Sequence, residues 1–171
     1  MLLSLLLFNI RKQENIVKNK KEVGKALGRI PSGLFVITAK CEDKEDAVLA
    51  SWVNQCSFDP PALTIALATL RSARLLVEAS GAFIVNVLPK DGMSLLKHFS
   101  RPPEDVFKGV KTKKGLEGIR ILSDAVSYLE CEVAQAMQSG DHVLYVGEIV
   151  GGKILKGGAP YIHVRDNGFG Y

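Results

Sequence analysis

The sequence predicts a mainly β fold, an antiparallel barrel carrying a few short peripheral helices. Six or so apolar runs of strand length, separated by turn signals, point to it. Only two or three short segments have helical spacing. The 171 residues hold neither an internal repeat nor a low-complexity tract, which bounds the chain at one domain.

Taken in order, Asn15 to Leu27 places Ile16, Val17, Val23, Ala26 and Leu27 among lysines and reads as an amphipathic helix. Gly28 and the Pro31-Ser32-Gly33 cluster end it. Leu34 to Thr38 is a buried strand, Cys41 to Asp46 a charged hairpin-like connection, and Ala47 to Val53 the returning strand. Pro60-Pro61 breaks the chain before the strand Ala62 to Leu67. Ser72 to Ala79 has helical spacing, with Ala73, Leu76 and Val77 on one side and Gly81 at the C-cap position. A strand from Ala82 to Leu88 and a helix from Met93 to Phe99 follow. Arg101 to Leu122 is polar, interrupted by proline and glycine, and is expected to be a long surface loop. Three strands close the chain: Ala125 to Met137, His142 to Lys153, and Tyr161 to Val164.

Composition narrows the function. Apolar residues are 47% and charged residues 23%, which is globular. The net charge of +4 is scattered, apart from Lys18, Lys20, Lys21 and Lys25 on the first helix, and no aromatic-and-basic stripe is present, so nucleic acid is not an expected partner. Cys41, Cys56 and Cys131 are odd in number and far apart, without a CxxC pair; neither a disulfide framework nor a zinc site is expected, and a reducing cytoplasm fits best. The apolar run Met1 to Phe8 is far short of the ~20 residues that span a bilayer. It also lacks the flanks of a signal peptide. Residues 1–20 are therefore expected to be an extension, packed on the body or disordered, ahead of a domain over 21–171, with no membrane partner.

The usual catalytic kits are missing. There is no GxSxG, HExxH or P-loop, and no GxGxxG opens a helix after a strand. His98, His142 and His163 are too spread to suggest a metal. What remains is a binding site whose ligand brings its own chemistry. In Leu49-Ala50-Ser51-Trp52-Val53-Asn54-Gln55, the short polar side chains Ser51, Asn54 and Gln55 suit the heteroatom edge of a flat polar ring. Trp52 and Val53 suit its face. Thr69-Leu70-Arg71-Ser72 stands at the mouth of a helix, where amides, a hydroxyl and a guanidinium make a phosphate cradle. Ser139-Gly140-Asp141-His142 is a tight turn that delivers a histidine to a strand. Taken singly, Trp52 reads more readily as a core residue and Arg71 as a surface ion-pair partner, and His142 reads equally as a partly buried strand residue.

Six segments in register resemble the flavin reductase family of FMN-binding split barrels. They are Gly33 to Thr38, Ser57 to Pro61, Phe83 to Leu88, His98-Phe99, Leu129 to Glu132, and Gly140 to His142. The resemblance runs from about Val23 to Tyr171. Within the family it is most similar to the flavin-reductase module fused to cyanobacterial flavodiiron proteins, through Leu49 to Val53, Lys97 to Phe99, Gly109 to Thr112, and Ile121 to Ala125. The resemblance implies a six-stranded antiparallel Greek-key split barrel, a homodimer, FMN held near the dimer interface, and NADH or NADPH as electron donor. It further implies that Ser51 to Gln55 face the isoalloxazine and ribityl chain, that Thr69, Arg71 and Ser72 take the phosphate, and that His142 lies where the nicotinamide docks. Two departures stand out. Many members have Asn-Ser-x-Thr-Ser at Ser51 to Gln55, which sets Trp52 to crowd or stack on the ring. A more polar residue is usual near Thr69 and Leu70, which throws the phosphate grip onto Arg71. The expected function is hydride transfer from nicotinamide to flavin, with a protein or other acceptor downstream. The main alternative is a flavoredoxin-like electron carrier reduced by a protein donor. A haem or other cofactor binder on the same barrel comes next.

Overall fold

The computed structural model describes residues 17–170; the apolar run Met1 to Phe8 and the expected helix start at Asn15 and Ile16 lie outside them. The described residues form two compact units, a larger one over Ser32–His163 and a smaller one from 17–31 with 164–170.

In the smaller unit, helix α1 (Lys20–Gly28) buries Gly24 and Gly28 on one face. The returning chain bonds there, Gly168 N–H to the Gly24 carbonyl at 2.7 Å and Arg165 N–H to the Gly28 carbonyl at 3.1 Å. A Cβ on Gly28 would collide with the Arg165 carbonyl oxygen, so close approach requires glycine there.

In the larger unit, β1 (Ser32–Gly33) pairs with β11 (Ile162–His163). Seven strands make the main antiparallel sheet: β2 (Phe35–Cys41), β3 (Lys44–Ala50), β4 (Val53–Phe58), β5 (Pro61–Ala68), β6 (Ala82–Val87), β9 (Ser127–Ser139) and β10 (His142–Ile154). Their order is β3-β2-β6-β9-β10-β5-β4, hairpins joined by long returns in the Greek-key manner. The ladder stays open between β3 and β4. Even so, Ala50 and Val48 of β3 and Val53 of β4 all pack into one core with Ile37, Ile65, Phe83 and Tyr145, so the sheet curls around that core from both edges. The mainly β fold with short helices is as the sequence predicts. The seventh strand is β4: the expected strand Ala47 to Val53 ends at Ala50, and Val53–Phe58, of which only Val53 is expected in a strand, pairs with β5.

Helices α2 (Ser72–Ser80) and α3 (Met93–Ser100) match their predicted spans to within a residue. Gly81 caps α2 at φ 70°, its N–H reaching the Val77 carbonyl.

The segment Arg101 to Leu122 is not the surface loop its polarity suggests. It folds as a small antiparallel pair, β7 (Thr112–Lys114) with β8 (Arg120–Leu122). It also buries Val106, Phe107, Ile119, Ile121 and Leu122. Single apolar residues scattered among lysines carry no periodicity, so the pattern hides their inward direction. Buried polar groups anchor the segment. Thr38 Oγ1 donates to the Arg120 carbonyl at 2.6 Å, and Leu122 N–H donates to Asn86 Oδ1 at 2.8 Å. The Arg120 guanidinium clasps both Glu45 oxygens, at 2.8 Å from Nη2 and 3.0 Å from Nε. No helix among the described residues is long and apolar enough to cross a membrane.

Candidate functional site

The site is built on strand β5. Antiparallel register puts His142 opposite Ala68 and Leu144 opposite Ala66. Directly paired residues share a face. Val143, Tyr145, Leu67 and Ile65 therefore point into the core, where they are buried, and His142, Leu144, Ala66 and Ala68 take the other face. On the far side of β5, the Trp52 carbonyl accepts the Ala66 N–H at 3.1 Å. Two alanines thus lie between Trp52 and His142, and with no bulk in between the rings meet. Their centroids are 4.7 Å apart and the planes are tilted by 47°.

The His142 side chain is 12% exposed. Its Nδ1 lies 2.7 Å from Asp141 Oδ1. That bond, and then the imidazole's charge, hold the Asp141 carboxyl below the ordinary carboxylate value. The same turn reaches the expected phosphate segment, since Thr69 N–H and Oγ1 both donate to the Asp141 carbonyl, at 3.0 and 3.2 Å. Arg74 Nε donates to the Thr69 carbonyl at 3.0 Å, and its guanidinium also pairs with Glu78. The Tyr145 phenol is the main influence raising Arg74 above its ordinary value. One run of contacts therefore joins Trp52, His142, Asp141, Thr69 and Arg74.

The other expected site residues divide by direction. Ala50 is buried in the core and Leu49 packs in a second apolar cluster with Val36 and Ala47, so their side chains face away from the Trp52 ring. Val53 also packs on the core rather than beside Trp52. Asn54 pairs with Thr64 on the same face as Ala66, while Gln55 is exposed and donates to the Ser57 carbonyl at 3.2 Å. Leu70 is 97% exposed. Arg71 is exposed and has no ion-pair partner among the described residues. Arg71 precedes the first turn of α2 without a side-chain cap; the Arg74 N–H turns back to the Arg71 carbonyl at 3.1 Å, and the N–H groups of Ser72 and Ala73 are left for another acceptor. Ser72 donates its hydroxyl to Asp46.

Two buried hydroxyls lack a hydrogen-bond partner among the described residues, Tyr145 Oη in the core and Ser51 Oγ. Ser51 is 3% exposed and its hydroxyl makes no hydrogen bond within the described residues. Such an orphan costs about 1–3 kcal/mol unless a ligand or water meets it. An orphaned hydroxyl, an aromatic wall and an uncapped helix start with a guanidinium unpaired among the described residues are what a flavin's polar edge, ring face and phosphate require. The residues present fit the group. No cluster of three His, Cys, Asp or Glu among the described residues suits a metal ion.

Asp46 and Arg74 were not evident from the sequence. Arg74 sits at helical spacing from Arg71 and reads as a surface residue. Asp46 touches Ser72 only through the packing of α2 on β3, for which the sequence carries no signal.

Comparison with known proteins places the chain in a family. The chain is 40% identical over 152 residues to Diflavin flavoprotein A 1 of Synechocystis sp., a match covering 86% of this chain and 26% of that one. The chain thus spans about a quarter of the length of this relative and of the other diflavin flavoproteins it matches. Among solved structures, it superposes on the flavin reductase HpaC, complexed with NADP+, with TM-score 0.75 and 25% identity over 84% of this chain and 92% of HpaC. It superposes on nitrilotriacetate monooxygenase component B from Mycobacterium thermoresistibile with TM-score 0.80 and 22% identity, over 86% and 84% of the two chains. The flavin reductase like domain profile matches residues 27–169, nearly the whole of the described chain, and the protein belongs to that family.

Proposed function

We propose that the chain is an NAD(P)H-dependent flavin reductase that binds FMN beside Trp52 and His142 and supplies electrons to a downstream acceptor. The observation that carries this reading is the Trp52–His142 ring pair, set over two alanines next to the Thr69-to-Ser72 turn. A similar fold solved with NADP+ and a 40% identical relative named for two flavins support a nicotinamide–flavin pairing.

In this reading Ser51 offers its unpartnered hydroxyl to the ring's polar edge, Trp52 supplies an apolar face, and Asn54 stands along the same face. Arg71 and the first-turn amides of α2 hold the phosphate. The redox chemistry there, acceptance of a hydride from a reduced nicotinamide, would come from the bound flavin. The protein's share is orientation and the exclusion of competing reactions. With Nδ1 held by Asp141, His142 has a fixed ring plane and presents Nε2 as the nitrogen left for a ligand. His142 then orients the nicotinamide or balances charge on the reduced flavin. Homodimer formation belongs to the same reading and is supported by edge strand β4, where Phe58 is 90% exposed. A cytoplasmic setting suits the three unpaired cysteines.

The test is an anaerobic absorption spectrum of the FMN-loaded protein on adding NADH and then NADPH. Bleaching of the flavin bands within the mixing time is expected and names the donor. Bands that persist with both donors, but bleach with a protein donor, contradict the reductase and favour an electron carrier.

A further inference from the structure

The carboxylate of Asp46 meets the residue that opens α2. Asp46, half-buried on β3, accepts the Ala47 N–H at Oδ1 (2.7 Å) and the Ser72 hydroxyl at Oδ2. Ser72 is the first residue of α2, and Arg71 before it provides no side-chain cap. A strand carboxylate therefore supplies the negative charge that a helix N-terminus favours. Among the described residues no cation pairs with it.

We propose that Asp46 sets the phosphate discrimination of the flavin site, a step that rests on reading the Thr69-to-Ser72 turn as the phosphate subsite. A phosphomonoester carries about −1.5 to −2 charges at neutral pH. Arg71 would attract it, and Asp46 would repel it while holding the Ser72 hydroxyl that would otherwise donate to it. The two opposed charges keep the hold on the phosphate weak, so FMN gains little over riboflavin and exchanges rather than staying as a fixed prosthetic group. The isoalloxazine end, at Ser51 and Trp52, is untouched by Asp46.

The experiment measures the dissociation constants of FMN and riboflavin for the wild type, Asp46→Asn and Asp46→Ser. The first variant keeps shape and acceptor and removes only the charge; the second is an uncharged control of different size. FMN is expected to bind about three- to tenfold tighter to both variants at low salt, with the gain shrinking as ionic strength rises. Riboflavin binding is expected to be unchanged. Equal shifts for both ligands, or none, overturn the proposal and leave the flavin reading standing. A wild type that takes up neither flavin overturns the reading beneath it.

Discussion

Trp52 and His142 approach to 4.7 Å between ring centroids although ninety residues of chain separate them, and the alanines of β5 are what let them meet. The histidine is held from its other side by Asp141, so its plane is set before any ligand arrives. If His142 acts on the nicotinamide and not on the flavin, His142→Ala lowers turnover about tenfold to a hundredfold. FMN affinity then changes much less. Steady-state kinetics beside a flavin titration separates the two effects, and a variant with full turnover removes His142 from the site.

Arg71, at the start of α2, has no ion-pair partner among the described residues. Arg71→Ala is expected to weaken FMN about tenfold and to leave riboflavin unaffected, since only FMN carries the phosphate. Paired titrations of the two flavins decide it. A loss shared by both would mean that Arg71 shapes the turn instead of gripping an anion.

Asn86 is fully buried, and its amide donates to the Val36 carbonyl at 3.1 Å and Thr38 Oγ1 at 3.3 Å while accepting the Leu122 N–H. It joins β2 and β6 to the segment that ends in β8. Asn86→Leu leaves those groups unsatisfied and is expected to cost about 2–4 kcal/mol in urea unfolding. A loss within about 0.5 kcal/mol would show that the network carries no stability.

Burial, with a smaller push from Glu130, drives the Cys131 thiol up to about 12. In the unfolded chain it ionises near ~8.5. Between those values the unfolded state binds fewer protons, so stability falls as pH rises through that window. Unfolding free energies of the wild type are therefore expected to fall more steeply with alkaline pH than those of Cys131→Ala. Parallel slopes would contradict this. In the native protein, alkylation is expected at exposed Cys56 before Cys131.

Much of this was legible in the sequence because it is local. Gly81 marks the end of α2, and the Gly140-Asp141 turn delivers His142 to β10. Face assignment was harder. Trp52 and Val53 read together as one apolar wall, but strand alternation sends Val53 into the core and leaves Trp52 with Asn54. The break at Ser51-Trp52 has no proline or glycine to announce it. The pairings Asp46–Ser72, Arg120–Glu45 and Asn86–Leu122 join segments that only the folded sheet brings together.

Trp52 is the chain's single tryptophan, so its emission reports on the site alone. The most direct measurement is a titration with FMN followed by tryptophan fluorescence, with bound flavin counted independently by dialysis. Quenching that saturates at one FMN per chain is the predicted result. FMN that binds without changing Trp52 emission, or fails to bind at all, would contradict a flavin seated beside Trp52 and His142.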